Sequence, residues 1–143
     1  MTPLSGQAAI CNCLALRQAA RHVTQFYDRF LAPYGLRTTQ YSILARLKRD
    51  GPLTIKRLAG DLVMDRTTLG RNILPLQRDG FIAVGMGQSD RRSRELRVTK
   101  LGDARLKAAA KGWNEAQDKF ESAFGVQRAK ELRALMREIT ETV

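Results

Sequence analysis

The sequence predicts a mainly helical fold carrying one small β-hairpin, an α+β arrangement. Three observations predict it. Apolar residues recur at helical 3-4 spacing through six segments of the 143-residue chain. Between the fourth and fifth of these, a β-prone run, Phe81-Ile82-Ala83-Val84, and an alternating run, Glu95-Leu96-Arg97-Val98, flank ten polar residues with two glycines. Around the tip of that hairpin, four arginines (Arg91, Arg92, Arg94 and Arg97) fall within seven residues.

The first helix is expected from about Gln7 to Leu31, where Val23, Phe26, Tyr27, Phe30 and Leu31 keep the helical spacing and Pro33 and Gly35 end it. Thr38 or Thr39 can cap a second helix through Lys48, with Tyr41, Leu44 and Leu47 on one face and Asp50-Gly51-Pro52 as its stop. Thr54 caps a short third helix bearing Ile55, Leu58, Ala59 and Leu62. After a break at Val63-Met64, Asp65 is an N-cap for a fourth helix that turns Leu69, Ile73 and Leu76 inward and ends at Gly80. Two helices joined by so short a turn make a helix-turn-helix, and the hairpin after it reads as a wing. Pro75 removes the hydrogen bond to the carbonyl of Arg71, so a bend or break is expected there. Thr99 caps a long fifth helix with the stripe Trp113, Ala116, Phe120 and Phe124. After Gly125, a last helix repeats Leu132, Leu135, Met136 and Ile139.

Composition narrows the function. A hydrophobic content of 43% suits a folded domain with a real core. No apolar run reaches the length of a membrane span and the start is polar, so the expected location is the cytoplasm, with no membrane partner. Net charge is +11 and unevenly spread: residues 1–50 and 51–100 each carry +5, residues 101–143 only +1. A positive field held away from the C-terminal segment suits a polyanion, because neutralising phosphates releases counterions. Cys11 and Cys13, two apart on a continuous helix, point away from each other and cannot pair. With one histidine in the chain they also fall short of a four-ligand zinc site, so no metal and no cofactor are expected. No phosphate loop, catalytic triad or paired-carboxylate site is present, and no base lies beside the thiols, which argues against an enzyme, a thiol peroxidase included.

The candidate DNA-contacting residues lie on the fourth helix and the wing. Opposite the inward Leu69, Ile73 and Leu76 stand Arg66, Thr67, Gly70 and Arg71, short hydroxyl and guanidinium groups near a helix N-terminus, as a major-groove reader requires. Gly70 costs roughly 1 kcal/mol in a helix interior, and close approach of DNA is one use for that cost; simple tolerance is the other. Thr54, at the start of the preceding helix, joins the set. In the wing, Arg91, Arg92 and Arg94 suit an adjacent minor groove, with Asp90 expected to pair with Arg92 or Arg94 and hold the tip in one shape.

Asp90-Arg91-Arg92-Ser93-Arg94 followed by Leu96-Arg97-Val98-Thr99, together with Leu36-x-x-x-Gln40-Tyr41-x-x-Leu44, resembles the MarR family of winged-helix transcriptional regulators over about residues 10 to 140. The resemblance implies a homodimer on a pseudo-palindromic double-stranded operator. Residues 7–31 and 100–142 would form its helical dimerisation region and 38–99 its winged DNA-binding lobe. It also implies a regulator that is most often a repressor, released by a small organic ligand. For an organic anion effector, Arg17, Arg21 and His22 are candidate charged contacts, with Phe26 and Trp113 as apolar wall. An alternative trigger is thiol oxidation. Cys13 precedes Tyr27 by fourteen residues, which resembles a hydroperoxide-sensing branch whose first-helix cysteine is hydrogen-bonded by a tyrosine, although Arg17 and Thr38 stand where that branch carries further tyrosines. Arg17, one turn from Cys13, is placed to favour its thiolate. A non-specific architectural DNA-binding protein is the remaining alternative.

Overall fold

The computed structural model describes residues 3–87 and 91–143. Its elements run α1 (Pro3–Ile10), α2 (Asn12–Leu31), a 3-10 turn (Ala32–Tyr34), α3 (Thr38–Asp50), β1 (Leu53–Thr54), α4 (Ile55–Asp61), α5 (Arg66–Arg78), β2 (Ile82–Met86), β3 (Arg94–Val98), α6 (Lys100–Phe124) and α7 (Val126–Thr142). No helix among the described residues is long and apolar enough to cross a membrane.

The first expected helix is two helices. Cys11 leaves helical geometry at ψ 110° and its Sγ accepts from the Leu14 backbone N–H at 3.4 Å, so the thiol serves as N-cap of α2. The premise that Cys11 and Cys13 share one unbroken helix therefore does not hold, and both side chains are exposed. Nor does Thr38 or Thr39 cap α3. Arg37 occupies the cap, its N–H donating to the Gln40 side chain at 3.0 Å. Thr38 instead donates through both its backbone N–H and its hydroxyl to Asp28 Oδ1, each at 2.7 Å, tying the start of α3 to the last turns of α2. Pro75 sits within α5 without interrupting it. Its missing N–H costs one bond, while Leu69, Ile73 and Leu76 hold the helix against the core on both sides of it.

The hairpin gains a third strand that period-2 reading overlooked, because two residues carry no pattern. β1 pairs antiparallel with β3, Leu53 opposite Leu96, and β3 pairs with β2 from Ile82↔Val98 to Met86↔Arg94. The order β1-β3-β2 makes β3 central, which buries Leu96 completely. The core joins this sheet to the helices through Leu31, Ile43, Leu44, Leu58, Leu69 and Leu76, all but solvent-free. Thr99 locks wing to scaffold: its hydroxyl donates to the Gly80 carbonyl at 2.6 Å and accepts from the Gly102 N–H at 3.0 Å, capping α6. Two glycines then let α6 lie against neighbouring backbone. A Cβ on Gly102 would fall 2.2 Å from the Phe81 carbonyl oxygen, and one on Gly112 2.2 Å from that of Phe30.

The two helices of the helix-turn-helix end alike on unlike residues. At the end of α5, Phe81 N–H bonds the Leu76 carbonyl and Gly80 N–H that of Gln77, with Gly80 left-handed at φ 81°. At the end of α4, Met64 N–H bonds the Ala59 carbonyl and Val63 N–H that of Gly60, but the left-handed position is Val63, at φ 51°. A β-branched residue is strained there, and Val63, three-quarters exposed, recovers little by burial. Val63→Gly is therefore expected to stabilise the fold by about 1 kcal/mol. Urea denaturation checks it; a lower midpoint for the variant would mean that the valine is held there by packing.

Candidate DNA-binding interface and effector cleft

Asp65 sets the start of α5. Its Oδ1 accepts the Thr68 N–H at 2.8 Å and its Oδ2 the Thr68 hydroxyl at 2.7 Å. These bonds, the backbone one foremost, hold the carboxyl below its usual range. A carboxyl depressed in the folded state contributes stability above its unfolded pKa of about 4, and that contribution fades as pH falls through the folded value. Asp65→Ala should accordingly lower the melting temperature at neutral pH, and the gap to the parent protein should narrow in acid. A gap that persisted undiminished in strong acid would show that charge is irrelevant to the cap.

With Thr68 turned to Asp65, the outward face of the first two turns consists of Arg66, Thr67 and Arg71, all exposed, around a half-buried Gly70. A methyl added to Gly70 would meet nothing within 4 Å, so no packing within the chain requires glycine there. Thr54 stands apart. It lies half-buried in β1 opposite Glu95, and its hydroxyl caps α4 by accepting from the Arg57 N–H at 3.1 Å. Arg91 and Arg92 are exposed at the wing tip and Arg94 opens β3 opposite Met86, where the Gly87 N–H closes the ladder on the Ser93 carbonyl at 3.0 Å. Asp90 and its expected pairing lie outside the described residues. The α5 residues and the wing arginines are joined through Leu76, Gly80 and Phe81, which carry the chain from one to the other.

The expected effector residues do not form one group. Tyr27 and Trp113 line a cleft of about 490 Å³ bounded by α2, α6 and α7, with Thr38, Phe120, Leu132 and Met136. His22 and Phe26 belong to a second cleft of about 310 Å³ that includes Lys119 and Phe124. Arg17, Arg21 and Cys13 line neither: Cys13 and Arg17 lie a turn or more before the lining residues of α2, and Arg21, although next to His22, points about 100° away from it round the helix. The cations of the larger cleft are instead Arg133 and Arg137 of α7, which sequence reading missed. Their i, i+4 spacing beside Leu132 and Met136 was the available signal. The Tyr27 hydroxyl donates to Gln117 Oε1, Gln117 donates to Glu121 at 3.4 Å, and Arg133 pairs with Glu121 at 3.3 Å. Burial, and then the Glu121 charge, push the Tyr27 hydroxyl above its usual range, against a smaller opposing effect of Arg133. Tyr41 stacks on Trp113 with rings 6.2 Å apart, fixing the wall between α3 and α6.

The terminal helices leave an apolar surface. Leu135, Met136 and Ile139 of α7 are exposed, as are Ile10 and Leu14 at the junction of α1 and α2. Ile139 shares a groove with Ala15, Leu16 and Ala19, so the start of α2 and the end of α7 adjoin.

Residues 36–93, which include the helix-turn-helix and most of the wing, match the family model described as MarR. Over nearly the whole length, the chain is similar to the M. tuberculosis transcriptional regulator MosR, solved in complex with DNA: 35% identity, 92% of this chain and 96% of that one, TM-score 0.80. The chain belongs to the MarR family. Its members in the comparison are transcriptional regulators rather than enzymes. The MarR fold is also that of the transcriptional repressor CouR bound to a 23-mer DNA duplex, with a TM-score of 0.83 over 94% of this chain and 96% of that one, a likeness of fold alone at 24% identity. The HTH-type transcriptional regulator YwoH of Bacillus subtilis is 31% identical over 85 residues, which span 59% of this chain and 61% of YwoH.

Proposed function

We propose that this MarR-family chain acts as a homodimer that reads a pseudo-palindromic operator in double-stranded DNA, placing α5 in the major groove and the wing arginines on the flanking minor groove. The observation that carries this reading is the outward face of α5: Arg66, Thr67, Gly70 and Arg71 contribute nothing to the core, and Gly70 has no packing reason to be glycine. Thr54 and Arg91, Arg92 and Arg94 complete the contact set. The apolar residues on the ends of α2 and α7 are the proposed dimer seam, since such a band on a monomer would stay wet. Repression released by a small organic anion is the proposed mode. The larger cleft supports it by setting Arg137 and Arg133 at the edge of an aromatic wall of Tyr27, Trp113 and Phe120. Occupation of a cleft between the dimerisation helices α2, α6 and α7, with Thr38 of the winged lobe on its wall, would change the spacing of the two α5 helices, and DNA affinity with it.

Light scattering tests the dimer, and a fluorescence-anisotropy titration of the chain's upstream DNA against a scrambled duplex, at two salt concentrations, tests the reading. A preference of roughly 10³ or more at physiological salt is expected. Equal, steeply salt-dependent binding to both duplexes, and to those from other promoters, would favour the architectural alternative instead. In the same assay benzoate-type acids should lower affinity, and Arg137→Ala should blunt that response.

A second reading, thiol-based sensing through Cys13, is favoured by one observation: both cysteines are exposed, and the helix is interrupted between α1 and α2 at Cys11. Loss of operator binding on treatment with an organic hydroperoxide, abolished by Cys13→Ser, is its expected result.

A further inference from the structure

Leu74 is 65% exposed on a helix whose other large apolar residues are buried. At 100° per residue it falls on the outward side of α5, one turn beyond Gly70 and between Arg71 and Arg78. Core burial does not explain it, and no helical stripe includes it. Beside it, the space over Gly70 is empty to 4 Å, so α5 presents a bare notch bordered by an apolar side chain within an otherwise polar, cationic face. The only apolar feature that base edges offer in the major groove is the 5-methyl group of thymine.

We propose that Leu74 and the notch at Gly70 form a seat for a thymine 5-methyl group in each operator half-site, making Leu74 a specificity-determining residue. This inference rests on the proposed placement of α5 in the major groove. Leu74 supplies the contact surface, and Gly70 is the positioning residue that leaves room for the methyl to approach the helix backbone. A uracil at that position keeps every hydrogen-bonding group and loses only the methyl. The discrimination is thus steric and apolar, separate from what Arg71 reads.

The probe is the tightest duplex that the full chain selects from a random-sequence pool, with each thymine replaced in turn by deoxyuridine. One thymine per half-site should cost the parent protein about fourfold in affinity when its methyl is removed, the worth of one buried methyl group. Leu74→Ala, which removes the contact from both half-sites of the dimer, should bind the thymine duplex about sixteenfold more weakly and show no further loss with deoxyuridine. Leu74→Gln, which keeps the size, should behave as Leu74→Ala does. Arg71→Ala should lose selectivity elsewhere while keeping the thymine–uracil difference. Melting temperatures close to the parent's are expected for both Leu74 variants, given their exposure. Indifference of the parent protein to deoxyuridine at every thymine, or full discrimination retained by both Leu74 variants, would overturn the proposal while leaving α5 as the reading helix. A pool that yields no preferred sequence would overturn the underlying placement, and this inference with it.

Discussion

Gly112→Ala should unfold this protein several degrees sooner, although helix propensity alone forecasts the opposite. Exchanging glycine for alanine inside a helix ordinarily gains about 1 kcal/mol. At Gly112 the new methyl carbon would lie 2.2 Å from the Phe30 carbonyl oxygen and 2.9 Å from the Tyr34 ring. The oxygen belongs to backbone in the last turn of α2, which has no rotamer to change, so α6 must retreat from α2. Overpacking of this kind costs about 1–3 kcal/mol and more when backbone must shift. The expected net loss is about 2 kcal/mol, near 6 °C in melting temperature for a chain of this size. Gly70→Ala is the counterpart in α5, where the added methyl meets open space; it should gain up to about 1 kcal/mol while weakening DNA binding. Thermal melts of both variants check the pair. A neutral Gly112→Ala would mean that the α2–α6 contact is loose enough to yield.

Arg71→Ala and Arg92→Ala should both weaken operator binding and should differ in kind. Arg71 projects from the second turn of α5, opposite Leu69 and Ile73, and in the proposed placement its guanidinium would meet base edges. Its loss is expected to cost about 1–3 kcal/mol, roughly five- to 150-fold in affinity, and to relax preference at one position per half-site. Arg92 is exposed at the wing tip, and in the proposed placement it would meet phosphate or the narrow groove. Its loss should lower affinity for all sequences alike and reduce the slope of log affinity against log salt by about one per protomer. Titrations of matched and scrambled duplexes at several salt concentrations separate the two. Variants that both left the matched duplex as tightly bound as before would remove α5 and the wing from the interface.

Much of this architecture was legible before any coordinates. The caps at Thr54, Asp65 and Thr99, the inward Leu69, Ile73 and Leu76 and the hairpin of β2 and β3 all follow from local rules, because the groups that satisfy each turn lie within a few residues of it. The misses share a cause as well. β1 is defined only by its partner, since Leu53 and Thr54 become a strand by pairing with Leu96 and Glu95, 41 or more positions along the chain. Thr38 looked like a cap, but Asp28, ten residues earlier, competes for both its donors. The interruption at Cys11 has no local signature, because a thiol is a weak acceptor and an unusual cap.

Local sequence specifies a winged helix-turn-helix with a basic fourth helix and a basic wing, and the motif at 90–99 together with Gln40-Tyr41 carries the resemblance to the family that the match over residues 36–93 bears out. Periodicity, caps and charge are properties of short stretches, so they survive without coordinates. Which residues meet depends on packing between distant segments. Long-range packing puts His22 and Phe26 in one cleft and Tyr27 and Trp113 in another, lines the latter with Arg133 and Arg137 from α7, and sets Tyr27 against Gln117 across ninety positions. It also separates the glycines that packing requires from those it does not: a Cβ on Gly102 or Gly112 would fall 2.2 Å from a neighbouring carbonyl oxygen, and one on Gly70 would meet open space. Both outcomes have one cause. A cleft and a close approach are made by side chains and backbone distant in sequence, and no local spacing encodes the distance between two helices.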